Sequence, residues 1–289
     1  MNPCLAISIN GGGALGIGPL AFMCRLEQDI GKKLGDCAVA FAGTSTGAII
    51  AGGLDEGYSA HDLFDLYRNN LKKIFTKYPW YKRVKPKCPP YDNTFLKSIL
   101  AEKFKGNVGD WKKPIFIPTT YTNGKSVEKV WDLGDKDVPK SFAILTSTAA
   151  PTFFDIIVKD GKSFADGGLW ANCPVAVLNA GLKCSEYNGH LRILSFNTGM
   201  DMPNTLVGNQ SLIAWIKYLL TGWIARAGKS NDYIVMKDIG EENLAVASPH
   251  YDKSIPMDDT DDDTLDLVIG MWNDYYDANK DYFLHFVNP

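Results

Sequence analysis

Short unbroken apolar runs alternate along this chain with stretches whose apolar residues recur at helical spacing. Residues 4–9, Cys-Leu-Ala-Ile-Ser-Ile, form one such run and give way at Asn10 to Gly11-Gly12-Gly13-Ala14-Leu15-Gly16. A second run, residues 38–42, ends in Gly43-Thr44-Ser45-Thr46-Gly47. Runs without polar alternation suit strands covered on both faces. The segments that follow them, 17–27 and 48–54, have the spacing and composition of helices. Strand, glycine loop, helix, strand, sharp turn and helix in succession predict an α/β fold that begins with parallel strands.

Further along, Ser59 with Asp62 forms a helix cap, and Leu63, Phe64, Leu66, Tyr67, Leu71 and Phe75 continue at helical spacing until Pro79. Residues 93–104 predict another helix. Residues 114–121 and 126–131 read as strands joined by a hairpin at Asn123-Gly124. A second hairpin turns at Asp160-Gly161 between 156–158 and 163–165, and its return leg delivers Asp166-Gly167-Gly168. Residues 191–197 make one more strand, after which the pattern is mainly helical, at 211–227 and 264–286. No repeat or linker interrupts the chain, so one domain spanning 1–289 is expected.

With 289 residues, 45% of them hydrophobic, the chain can bury a sizeable core. A formal charge of −3 gives no global reason to expect a nucleic-acid partner. The cysteines, Cys4, Cys24, Cys37, Cys88, Cys173 and Cys184, lack zinc-site spacing, so no metal is expected. The N-terminus has no basic region ahead of its apolar run, which predicts a cytoplasmic protein with reduced thiols. Glycines break the uncharged run at 37–54, and Lys217 breaks a shorter one at 212–225, read as a core or oligomer-contact helix before a membrane-facing one.

Between residues 72 and 87, Lys72, Lys73, Lys77, Lys82, Arg83, Lys85 and Lys87 interleave with Phe75, Tyr78, Trp80 and Tyr81, with no acidic residue among them. Such a segment suits an anionic lipid surface, or equally a solvated loop whose aromatics pack inward. The acidic cluster Asp258, Asp259, Asp261, Asp262 and Asp263 lacks the glycine and terminal glutamate of a calcium loop and reads as a helix N-terminus.

Two glycine motifs carry the chemistry. Gly11-x-Gly13-x-x-Gly16 formally matches a dinucleotide fingerprint, but Asp36 precedes the second strand, where a ribose-binding carboxylate would end it. Gly43-x-Ser45-x-Gly47 has the form of a nucleophile elbow, although a tight turn with a capping hydroxyl has it too. Adjacent parallel strands send their C-terminal loops to one sheet edge, so the N–H groups of Gly12 and Gly13 can meet the Ser45 hydroxyl there as an oxyanion hole. For the base, His61, His190, His250 and His285 lack a catalytic signature. A triad through Asp166 and one of the last three histidines, and a direct role for Asp166 as base, both stay open.

Taken together, Gly-Gly-Gly-Ala-Leu-Gly, Gly-Thr-Ser-Thr-Gly and Asp166-Gly-Gly resemble, in order and spacing, the motifs of the patatin-like phospholipases. Residues 147–153, Asn172-Cys173-Pro174 and the segment from Ser195 to Gly199 extend the likeness over most of the chain. The resemblance implies a three-layer α/β/α sandwich with a central, largely parallel sheet. It also implies a Ser–Asp dyad with Ser45 as nucleophile, Asp166 as general base, Gly11, Gly12 and Gly13 around the oxyanion, and no cofactor or metal. Leu15 departs from the pattern, standing where the family frequently has Arg or Lys. The expected activity is acyl hydrolysis of glycerophospholipids at a membrane surface by a cytoplasmic, transiently peripheral enzyme. Alternatives are a transacylase, a vestigial lipid-binding module and a nucleotide-activated defence effector. A homo-oligomer and an unidentified small-molecule activator stay open.

Overall fold

A computed structural model describes residues 3–83, 89–122, 127–201 and 224–288. The turn at Asn123-Gly124, residues 84–88 of the basic segment with Cys88, and the apolar run from 212 to 223 lie outside the described residues. The strands are β1 (Cys4–Ile9), β2 (Ala40–Gly43), β3 (Ile115–Tyr121), β4 (Val127–Trp131), β5 (Ile157–Lys159), β6 (Lys162–Asp166), β7 (Leu191–Phe196), β8 (Met200–Asp201), β9 (Leu244–Ala247) and β10 (His250–Tyr251). The helices are α1 (Ile17–Ile30), α2 (Leu34–Cys37), α3 (Thr46–Glu56), α4 (Ala60–Ile74), α5 (Trp80–Arg83), α6 (Thr94–Lys103), α7 (Lys140–Ser147), α8 (Gly168–Ala171), α9 (Val175–Leu182), α10 (Ile224–Ile239) and α11 (Asp262–Val287).

Strands β3, β2, β1, β7 and β9 run parallel in that order, and β4, β5 and β6 join antiparallel around β3. The side-chain alternation of a strand divides the core in two. On one face Leu5, Ile7 and Ile9 of β1 and Leu194 and Phe196 of β7 pack with α1, α3, α4, α6, α7 and α11. On the other, Ala6, Ala40, Ala42, Phe116 and Ile193 pack with α9 and α10. Small residues on the second face allow α9 to lie close. The three-layer α/β/α sandwich with a mostly parallel sheet is therefore the fold.

Local signals and tertiary ones separate clearly here. Ser59 and Asp62 form a reciprocal capping box at the start of α4, as their spacing predicts. Asp261 stands at the N-cap position of α11 with Asp262 and Asp263 in the first turn, and Lys72 pairs with Asp262 at 2.7 Å, so the acidic cluster serves a helix end. The chain after β7 differs from the expected mainly helical pattern. It contains β9, a four-residue strand recognisable only by its pairing with β7. Helices α7 and α9 also carry no clear sequence signal, being eight residues each. Among the described residues no helix is long and apolar enough to cross a membrane.

The aromatic segment after α4 divides between the two readings its composition allows. Phe75 packs edge-on against Tyr91 at 5.3 Å between ring centroids, and Tyr78 donates through its N–H to Pro90. Trp80 and Tyr81, on α5, are 72% and 56% exposed.

Candidate active site

The nucleophile candidate owes its position to a local backbone constraint. Strand β2 stops at Gly43, α3 starts at Thr46, and Ser45 between them adopts φ 55° and ψ −122°. A side-chain-bearing residue there costs about 1–3 kcal/mol and needs support from its surroundings. Three hydrogen bonds provide it. The Ser45 N–H donates to Ser147 Oγ (3.0 Å), the Ser147 hydroxyl donates to Pro118 O (2.6 Å), and the Thr44 hydroxyl donates to Ala171 O (2.6 Å). Gly43 is required because a Cβ there would collide with the backbone of Gly47 one turn on.

Strand register brings the second group to the same place. Phe41 and Ala42 pair with Ile115 and Phe116, so the chain leaving β2 carries Ser45 level with Thr119. Thr119 pairs across the sheet with Asp166, the last residue of β6. The Asp166 side chain interacts with that of Ser45, and its Oδ1 accepts the Gly168 N–H at 2.6 Å. Only 4% of Asp166 is exposed, and burial pushes its carboxyl up to about 7, against the downward pull of the Gly168 N–H and the Ser45 side chain. A carboxyl that titrates near neutrality suits a general base.

The glycine loop closes the third side. A Cβ built on Gly11 would lie 3.3 Å from Ser45 Cβ, so loop and elbow are in contact. The three expected oxyanion donors are not equivalent. Gly11 N–H is already given to Asn172 O at 3.0 Å, whereas the N–H groups of Gly12 and Gly13 have no partner among the described residues. Leu15 turns into the main core, 7% exposed, so its position faces helices rather than the anion.

The histidines are held elsewhere. His61 lies on the exposed side of α4 beside Asp65 (3.2 Å), and His285 is exposed on α11. His190 precedes β7 at the N-terminal edge of the sheet, opposite the edge where β2 delivers Ser45. His250 is exposed at β10. Among the described residues none hydrogen-bonds to Ser45 or Asp166. Ser147, Asn172 and Thr198, by contrast, brace the site. In the sequence they are small polar residues with no role assigned, marked only by lying in segments that resemble the family.

A profile of the patatin-like phospholipases matches residues 7–179, which contain Ser45, Asp166 and all three loop glycines. The chain belongs to the patatin-like phospholipase family. Membership makes this patatin-like protein a lipid hydrolase. It is 26% identical to a cGAMP-activated phospholipase of Pseudomonas aeruginosa over 95% of this chain and 86% of that one. A cGAMP-activated phospholipase of Vibrio cholerae is 32% identical over 60% of this chain and 56% of its own length. The crystal structure of VipD from Legionella pneumophila superposes with a TM-score of 0.46 at 13% identity, covering 96% of this chain and 67% of that one.

Proposed function

We propose that residues 1–289 form a single catalytic domain that cleaves fatty-acyl esters of glycerophospholipids through a Ser45–Asp166 dyad. The observation that carries this reading is the register by which β3 sets Ser45 opposite Asp166, with the glycine loop in contact. Ser45 Oγ attacks the ester carbonyl carbon while the Asp166 carboxylate accepts its proton. The Gly12 and Gly13 N–H groups, with the N-terminus of α3, stabilise the tetrahedral oxyanion. Collapse breaks the ester bond, and Asp166 returns the proton to the leaving lysolipid oxygen. Water then attacks the acyl-serine, losing a proton to Asp166, which passes it to Ser45 Oγ as the acyl–serine bond breaks, freeing the fatty acid and restoring Ser45.

The lipid would be met at a membrane by a cytoplasmic, peripherally bound protein. Trp80 and Tyr81 on α5 and Val158 on β5 are exposed, and the Tyr78 hydroxyl, donating to Asp155 at 3.4 Å, ties the two segments together. Amphipathic aromatics of this kind favour the headgroup region. The names of the relatives make a cyclic dinucleotide the activator class to test. Mass spectrometry of a lipid extract incubated with wild type and with Ser45→Ala, each with and without cyclic dinucleotides, decides the matter. Fatty acid and lysolipid are expected from wild type alone. No release from any acyl ester by folded wild type overturns the hydrolase reading, and transfer of the acyl chain to an added lysolipid would make it a transacylase.

A further inference from the structure

The Gly11 carbonyl is held by two side chains from distant parts of the chain. The Thr198 hydroxyl donates to Gly11 O at 2.9 Å, and Asn172 Nδ2 approaches the same oxygen at 3.4 Å. The hydroxyl is buried, Thr198 being 6% exposed. Thr198 is itself fixed. Its carbonyl accepts the Tyr251 hydroxyl at 3.0 Å, and that hydroxyl accepts Trp272 Nε1–H of α11 at 2.9 Å. Its N–H donates to Asn197 Oδ1 (3.1 Å), which also accepts Asn10 Nδ2–H at 3.0 Å.

A peptide unit is planar, and in its trans form the C=O and the following N–H point in opposite directions. No cis peptide is present among the described residues. Holding Gly11 O on one side therefore directs Gly12 N–H to the other, and that N–H has no partner among the described residues. Gly12 has no Cβ, which would overlap Thr198, so the contact is as close as a backbone permits. The peptide is flanked by glycines, whose φ and ψ restrain it least of all residues. Without an external hold its plane is free to rotate and carry the N–H off target.

We propose that Thr198 is a positioning residue for the oxyanion hole, whose hydroxyl sets the plane of the Gly11–Gly12 peptide and thereby aims Gly12 N–H at the developing negative charge. This rests on the acyl-serine reading above. Because the aimed donor acts on the oxyanion and not on the ground-state ester, its loss should appear in kcat and leave KM nearly unchanged. Removing an oxyanion donor outright costs about 10²–10³ in kcat, so a donor that is only misaimed should cost about 10–100-fold.

The test uses the full chain with Thr198→Val, Thr198→Ala and Thr198→Ser. It measures kcat and KM on one ester substrate, affinity for a trifluoromethyl ketone analogue, and thermal unfolding. Both hydroxyl-free variants are expected to lose kcat at constant KM and to bind the ketone more weakly in proportion, while Thr198→Ser recovers most of both. Folded Thr198→Val or Thr198→Ala with wild-type kcat overturns the proposal. So does Thr198→Ser as impaired as Thr198→Val, which would assign the effect to shape. Unfolding of both hydroxyl-free variants would assign the hydroxyl to stability and overturn it too. Wild type inactive on every ester would instead fail the hydrolase reading, and ketone affinity would still report on the loop.

Discussion

Asp166 is a buried acid whose titration links activity to stability with opposite signs. Its folded pKa of about 7 lies above that of an exposed aspartate, so between roughly pH 4 and 7 the native state holds the proton more tightly than the unfolded one. Stability contributed by the protonated form is full below about pH 4 and is lost as pH rises through 7. As the proposed general base, conversely, Asp166 works only when ionised. Activity is expected to rise with pH through about 7, and Asp166→Asn should abolish turnover. The same variant should be more stable than wild type at pH 8, by up to about 4 kcal/mol, with the difference vanishing near pH 4. Thermal melts of both proteins across that range, beside a pH–rate profile, check the two signs together. Equal stability of both at pH 8 would mean the carboxyl is not destabilised by burial.

At the scale of elements, the elbow joining β2 to α3 is held by α7, whose last residue is Ser147. Ser147→Ala removes the acceptor for the part-buried Ser45 N–H and the donor to the buried Pro118 O. Such losses cost about 1–3 kcal/mol. With the strained backbone at Ser45 less supported, turnover should fall about 10-fold or more, and calorimetry with steady-state kinetics reads both effects. The elbow was legible beforehand, because a serine between glycines at a strand end is a local signal. Its brace was not, because Ser147 reaches it from another helix. Likewise α9 follows Pro174 as an apolar run too short to show a period, and β9 is a strand only because β7 offers it an edge.

Over the whole molecule, the edge that gathers the strand ends is also where the antiparallel hairpin β5–β6 stands, with its exposed Val158 and, linked through Asp155, the exposed aromatics of α5. If this face meets lipid, Trp80→Ala with Tyr81→Ala should weaken binding to phospholipid vesicles several-fold and slow vesicle hydrolysis. Cleavage of a short-chain soluble ester should not change, since neither residue touches the dyad. Sedimentation with vesicles and a soluble-ester assay separate the outcomes, and unaltered vesicle binding would remove this face from consideration.

What the sequence alone determined is what short-range sterics can encode: glycines where a turn or close approach needs them, Ser45 at a strand–helix junction, the cap of α4, and apolar runs that must be covered on both faces. These depend on neighbours a few residues away. The tertiary structure decided which of those features meet. Register along β3 sets Ser45 against Asp166, burial by the surrounding layers tunes that carboxyl, and the Gly11 N–H is consumed by Asn172 while the Gly12 N–H keeps no partner among the described residues. The contact from Thr198 to Gly11 spans 187 positions of chain, and only a packed sheet, in which β7 lies beside β1, makes those two residues neighbours.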